Sequence, residues 1–331
     1  MKTKIWKKLA ALCVSGVCAA GLLSGCGGDK KGGSVDGSGV KILYTTNTLD
    51  DYRTLLQDNV IESAKKTGAT LDVKEEVHLV DDQVNQIKEA VSGDYDAIIC
   101  LMVDSGTALQ LEAVAGDIPI IFVNSQPADS HLEPDKYMYV GSQEGDAGRF
   151  QAEYVWDKLG KPKEFNAMIL KGEPGHSASI GRTAAVHDYF KENGVNVNYV
   201  FEDTAYWSDV EAENRFDIFM KTNQELDAVF CNNDTMALGV VKAMKKYKMD
   251  PQKIPVVGVD ATAAGCQSII DGGMQFTAYQ SAAGQGQMSV ETAIALAKKG
   301  TAKDLEGLND AGTIVWVPFE PVTLSNVKEY Q

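Results

Sequence analysis

From residue 40 onward, apolar and polar positions follow two different periods in alternation. Short apolar runs (VKILYTT, AIICLMV, IPIIFVN, AMILKG, DAVFCNND, IPVVGVD, FTAYQ) are separated by stretches in which apolar residues recur at helical spacing. In DYRTLLQDNVIESAKKTG, residues Leu55, Leu56, Val60 and Ile61 are expected on one face, with Gly68 at the C-terminal cap. Runs that are apolar throughout fit strands covered on both faces. Such strands, joined by helices, make parallel sheets through right-handed crossovers. The pattern predicts an α/β chain of the doubly wound type.

The series is longer than one open sheet usually takes, and it has a seam. After IIFVN come the polar stretch SQPADSHLEPDK, the run YMYVGSQ and a long helix to Leu159. Two similar lobes with doubly wound parallel sheets are therefore expected, one over 40–141 plus 281–314, the other over 142–280 plus 315–331. The helix at 282–299 and the WVP segment at 316–318 are expected to cross back, so that several strands form a hinge.

The N-terminus has a different pattern. Lys2, Lys4, Lys7 and Lys8 precede the apolar stretch LAALCVSGVCAAGLL and then Ser24, Gly25 and Cys26. That stretch has the layout of a secretory signal and is short for a membrane span. The ending L-S-G-C resembles the bacterial lipobox, which implies a signal over 1–25 and a lipidated Cys26 that anchors the protein to the membrane from outside the cytoplasm. Residues 26–39, rich in Gly and Ser, read as a flexible tether.

Composition narrows the function classes. In 331 residues the apolar fraction is 44% and the formal charge −15, and residues 1–25 contribute only basic side chains. Such an acidic chain is a poor ligand for nucleic acid and is repelled by anionic lipid, so the lipid anchor is the only membrane contact expected. Beyond the signal and Cys26 there remain Cys100, Cys231 and Cys266, an odd number without zinc-type spacing; Cys100 and Cys231 sit in strand-like runs and read as buried thiols. No metal and no cofactor is expected.

In doubly wound sheets ligands bind beyond the carboxyl ends of the strands. Those positions hold Asp50, Asp51, Tyr52, Asp104, Ser105 and Asn124 in the first lobe. In the second they hold His176, Arg182, Trp207, Asn232, Asn233, Asp234, Asp260 and Gln280. One of these stretches, LKGEPGHSASIGR, could be a phosphate cradle or a catalytic loop. The phosphate-loop spacings are missing, however, and Glu173 puts an anion where phosphate would sit. His176 with Ser177 or Ser179 is too close in sequence to align as base and nucleophile, and no G-x-S-x-G elbow is present. Asp50 with Asp51, Asp234 and Asp260 each precede helices and could cap them. Capping does not explain Asn232, Asn233, Trp207 and Gln280 at matching strand ends. A neutral polyol fits the whole set, because hydroxyls both donate and accept and the C–H faces of a sugar stack on rings such as Trp207 and Tyr52.

KGEPGH at 171–176 with Arg182, DTAYW at 203–207, NNDTMALG at 232–239, IPVVGVDA at 254–261 and YVGS at 139–142 resemble the galactose/glucose-binding proteins of bacterial ABC importers. More broadly the chain is similar to the class I, ribose-type periplasmic sugar-binding proteins. The resemblance implies two α/β lobes, a three-stranded hinge and closure around a monosaccharide delivered to an ABC permease. It implies hydroxyl-binding roles for Asp51, Asn124, His176, Arg182, Asn233, Asp260 and Gln280, and makes Trp207 one of two aromatic plates. Three departures stand out. Arg53 occupies the place of the opposite plate, so Tyr52 substitutes or the sandwich is one-sided. Ala178 replaces an Asp, and DKLGKPKEF at 157–165 lacks the oxygen ligands of the family's calcium loop. The expected protein is a monomeric receptor for a hexose of galactose or glucose type. Arg53 and Ala178 leave open a modified or acidic sugar; the alternative ligand within the binding class is a nucleoside or a signalling molecule, and a chemoreceptor is a further partner compatible with transport. A regulator's sensor domain needs an N-terminal DNA-binding helix-turn-helix where the signal and tether stand. An enzyme needs a coherent nucleophile, metal or cofactor site.

Overall fold

The structure, a computed structural model, describes residues 35–331. The expected signal and Cys26 lie outside the described residues. Residues 35–39, grouped with the tether on composition, instead pack onto the fold: Gly37 is buried, its N–H donates to Thr67 O (2.7 Å), and Val35 joins the core. A single apolar residue and one close approach outweigh the Gly/Ser composition there.

The first half of the chain runs β1 (Lys41–Thr45), α1 (Asp51–Thr67), β2 (Thr70–Val73), α2 (Val80–Ser92), β3 (Ala97–Cys100), α3 (Ala108–Ala115), β4 (Ile120–Val123) and β5 (Tyr137–Gly141). The second runs α4 (Glu144–Lys158), β6 (Glu164–Lys171), α5 (Ser177–Glu192), β7 (Asn196–Thr204), α6 (Asp209–Met220), β8 (Ala228–Cys231), α7 (Asp234–Lys246), β9 (Val256–Asp260), α8 (Ala263–Ile270) and β10 (Phe276–Tyr279). The tail adds α9 (Ala282–Lys299), β11 (Ile314–Trp316) and β12 (Glu320–Thr323).

Two six-stranded sheets result, ordered β2-β1-β3-β4-β5-β11 and β7-β6-β8-β9-β10-β12. Every neighbouring pair is parallel except β10 with β12. β3, β4, β8 and β9 are buried at every position, as strands covered on both faces must be. Side-chain alternation sends Ile42, Tyr44 and Ile99 towards α1 and α9, and Leu43, Ile98 and Phe122 towards α2 and α3. In the second sheet Met168 and Val229 face α6, α7 and α8, while Ile169 and Phe230 face α4 and α5. Each fully buried side chain of this size contributes roughly 1.5–3 kcal/mol.

Helix α1 ends as its sequence predicts: Gly68 adopts φ 78° and its N–H caps the carbonyls of Ala64 and Lys65. Its buried face differs from the expected one. Tyr52, Arg53, Leu56, Val60 and Ala64 point inward, whereas Leu55 and Ile61 are exposed. The chain passes between the sheets three times, after β5, after β10 and after β11. Gln285 Nε2 donates to Ser142 Oγ (3.1 Å), and Val317 N donates to Gly141 O (2.8 Å), so the three crossings are tied together. The boundary expected after residue 314 falls inside β11, whose Val315 and Trp316 pair in the first sheet.

Candidate functional site

The loops after β1 and β4 in the first lobe, and after β6, β7, β8, β9 and β10 in the second, converge on one cavity. It is a narrow cavity with about 30 Å³ of solvent-accessible space. Tyr52, Arg53 and Asn124 line it from the first lobe, and His176, Arg182, Trp207, Asn233, Asp260 and Gln280 from the second. All nine are largely buried. Of the ten residues expected at the site, Asp51 alone is elsewhere. Its exposed carboxylate accepts a hydrogen bond from Thr235 Oγ1 (3.2 Å), across the lobes. Asp50 takes its place, because residues 50 and 53 share a face one turn apart while residue 51 turns away. Asp50 also caps α1, its Oδ1 accepting from Arg53 N (2.8 Å).

The loop Gly172–His176 is shaped by the ring above it. A Cβ on Gly172 would lie inside Trp207 Cζ2 and Cη2, so only glycine lets the indole rest there. Trp207 itself holds φ 62°, Asn124 63° and Asp260 115°. Three cavity residues in the left-handed region mark backbone held by its surroundings, the kind of strain that collects at binding sites.

His176 is the N-cap of α5. Its Nδ1 accepts from Ala178 N (3.1 Å), which assigns the ring proton to Nε2. Burial, then the Arg53 and Arg182 guanidiniums, hold the imidazole well below its usual pKa, so it is a neutral donor. The ring meets Trp207 edge to face, centroids 5.3 Å apart. Arg182 is held at all three nitrogens: Nε donates to Glu144 Oε2 (2.6 Å), Nη1 to Asn232 O (2.6 Å) and Nη2 to Gln280 Oε1 (3.2 Å), with Asp260 Oδ1 3.8 Å from Nη1. Arg53 donates to Thr48 O (3.1 Å) and to Glu173 Oε2 (3.2 Å) of the other lobe, and its Nε lies 3.5 Å from Asp50.

Capping does not occupy Asp260, since Thr262 caps α8; nor does it occupy Asp234, since Asn233 caps α7. Asp234 is structural. Its carboxylate accepts from Thr277 Oγ1 (2.7 Å) and Thr262 N (2.8 Å), and burial pushes its pKa up to about 7. Burial raises Glu144 and Asp260 as well. In and around the cavity, Arg53 and Arg182 thus meet Asp50, Glu144, Glu173, Asp234 and Asp260, an excess of carboxylates. Glu144 has no signal in composition that separates it from an ordinary surface or capping acid.

Four buried polar atoms on this cavity, Tyr52 Oη, His176 Nε2, Trp207 Nε1 and Gln280 Nε2, have no partner among the described residues. Buried donors are almost always paired, so four on one cavity mark the groups a polar ligand satisfies. Ala178, also on the wall, adds only a methyl where the resemblance placed an acceptor. Asp104 and Ser105 lie in an adjoining crevice instead. Cys100, Cys231 and Cys266 are free and buried. Among the described residues no cluster of His, Cys, Asp and Glu is placed to hold a metal, and no helix is long and apolar enough to cross a membrane.

Comparison with known proteins agrees with the two-lobed fold. Residues 42–302 match the model of the periplasmic binding protein domain. A Rhizobium meliloti protein named for rhizopine binding is 30% identical over 287 residues, covering 85% of this chain and 89% of the relative. A D-galactose/methyl-galactoside-binding periplasmic protein of Haemophilus influenzae is 25% identical over 295 residues, 85% and 88% of the two chains. Among solved structures, an ABC transporter solute-binding protein of Bacillus halodurans with bound myo-inositol superposes with a TM-score of 0.78 at 29% identity. The match covers 89% of this chain and 98% of that one.

Proposed function

The chain belongs to the periplasmic binding protein domain family, and from that membership we propose that it captures one neutral, ring-shaped polyol and delivers it to an ABC permease. The ring is a hexose of galactose or glucose type or a cyclic polyol of the same size. The protein is a solute-binding protein and not an enzyme.

The observation that carries this reading is the set of four unpartnered buried atoms, one from the first lobe and three from the second or its crossing. Only a ligand that both accepts and donates can satisfy them together with the Asp50 and Asp260 carboxylates. Both the galactoside-binding relative and the myo-inositol-bound structure support a six-membered polyhydroxylated ring. The guanidiniums leave no unpaired positive charge for an acidic sugar, because Arg53 is already matched by Glu173 and Asp50, and Arg182 by Glu144. Contacts from both lobes favour the closed form, so binding and hinge closure are one equilibrium.

The test is a thermal-shift screen of the purified protein against hexoses, myo-inositol, sugar acids and nucleosides. A ligand at 100 times its Kd stabilises by about 2.7 kcal/mol. Stabilisation by a nucleoside or a sugar acid and by no neutral ring would refute the assignment. We further propose that Cys26, outside the described residues, is lipidated and holds the protein on the outer side of the cell membrane. Fatty-acid labelling that persists in Cys26→Ser would refute the anchor.

A further inference from the structure

A second chamber adjoins the first and shares its Arg53 and His176 walls. It has about 220 Å³ of solvent-accessible space, and both lobes build it: Asn47, Thr48, Val103 and Asp104 from one side, Glu173 and Gly175 from the other. A single monosaccharide in the first cavity leaves this space unused.

Asn47, on the chamber wall, holds an unpaired acceptor among the described residues. Asn47 is 5% exposed, its Nδ2 donates to Met102 O (3.0 Å), and its Oδ1 has no partner among the described residues. That bond fixes the amide, so Oδ1 is the atom left for something else. The Glu173 and Asp104 carboxylates add further acceptors, and the one guanidinium present is already held by Thr48 O, Asp50 and Glu173. A wall rich in acceptors and net negative suits hydroxyl donors and repels phosphate or carboxylate. Val77 and Val103 give it an apolar side against which C–H faces can rest.

We propose that this chamber is a second subsite, and that the protein accepts its ring carrying an uncharged, hydroxyl-rich substituent, that is, a glycoside or disaccharide. The inference rests on the polyol reading of the first cavity. The ring sits against Trp207 and Arg182, and the substituent passes Arg53 and His176 into reach of Asn47.

Calorimetry on the purified protein with galactose, glucose and myo-inositol, and with lactose, melibiose, maltose and galactosyl-inositol, tests it. At least one of the two-ring compounds is expected to bind no more than tenfold weaker than its parent ring. Asn47→Leu, which removes the acceptor, and Val103→Phe, which fills the chamber, should each weaken that compound at least tenfold and leave the single ring within twofold. Binding of single rings with no two-ring compound, or equal losses for both classes in both variants, overturns the subsite and leaves the polyol reading standing. Failure of every compound in both classes overturns both.

Discussion

Arg53 of the first lobe and Glu173 of the second meet across the cleft, Nη2 and Oε2 3.2 Å apart. Ser105 Oγ donates to Gly175 O (2.7 Å) and Gln126 N to Ser177 Oγ (2.9 Å) along the same seam. These bonds join the two lobes across the cleft, so they act as a latch on closure.

Glu173→Ala is expected to speed ligand release about fivefold with little change in the association rate. The carboxylate is 39% exposed, so its share is held to about 1 kcal/mol. Stopped-flow release kinetics decide it; an unchanged release rate would remove the latch from the account.

Gly172→Ala leaves every polar contact in place but displaces Trp207, since the new methyl and the indole cannot share the space. Affinity should fall more than tenfold while the far-UV spectrum stays native. Wild-type affinity would mean that the indole does not support the ligand.

Arg182→Met leaves Glu144 and Asp260 buried without their counter-ion. Breaking such a cluster costs about 3–5 kcal/mol, and at roughly 2–4 °C per kcal/mol the melting point should drop by about 10 °C. Adding Glu144→Leu should recover part of the loss. A double variant that melts no higher than the single one contradicts this.

His176 gives a pH signature. Its folded pKa lies well below 6.5, so under acid the unfolded chain binds a proton that the folded one does not. Stability from this residue is therefore intact above about pH 6.5 and declines as the pH falls below it, by up to about 1.4 kcal/mol per unit. Asp234 works in the opposite sense: its folded pKa of about 7 stands above the ordinary 3.8, so its contribution falls as pH rises between those values. Urea unfolding of His176→Gln and wild type from pH 7.5 to 5 separates the two. The variant should lose less stability on acidification, and parallel curves would refute the buried neutral imidazole.

The strand ends made most of the site legible. Asn124, His176, Asn233, Asp260 and Gln280 stand at or just after the ends of apolar runs, and a parallel sheet carries whatever follows its strands to one edge. The misses have local causes. Leu55 and Ile61 look like core by type, but the sheet takes the adjacent face, and even Arg53 is drawn inside by its carboxylate partners. Asp50 and Asp51 differ only in which side of a helix's first turn each occupies, and sequence does not show where that turn begins. Glu144 matters through Arg182, a residue 38 positions away. Glu173, which speaks against a phosphate loop, proves to be the partner of Arg53. Left-handed backbone at Trp207 has no sequence mark, because tryptophan is not a residue type that favours it.

The way Arg182 is held divides the building of the pocket between the lobes. Its three bonds reach Glu144, just past one crossing, Asn232 in the same lobe and Gln280, just before another. None of them spans the cleft to α1, so the second lobe holds its half of the cavity by its own bonds, and the first lobe adds Asp50, Tyr52, Arg53 and Asn124 to a wall that is already built.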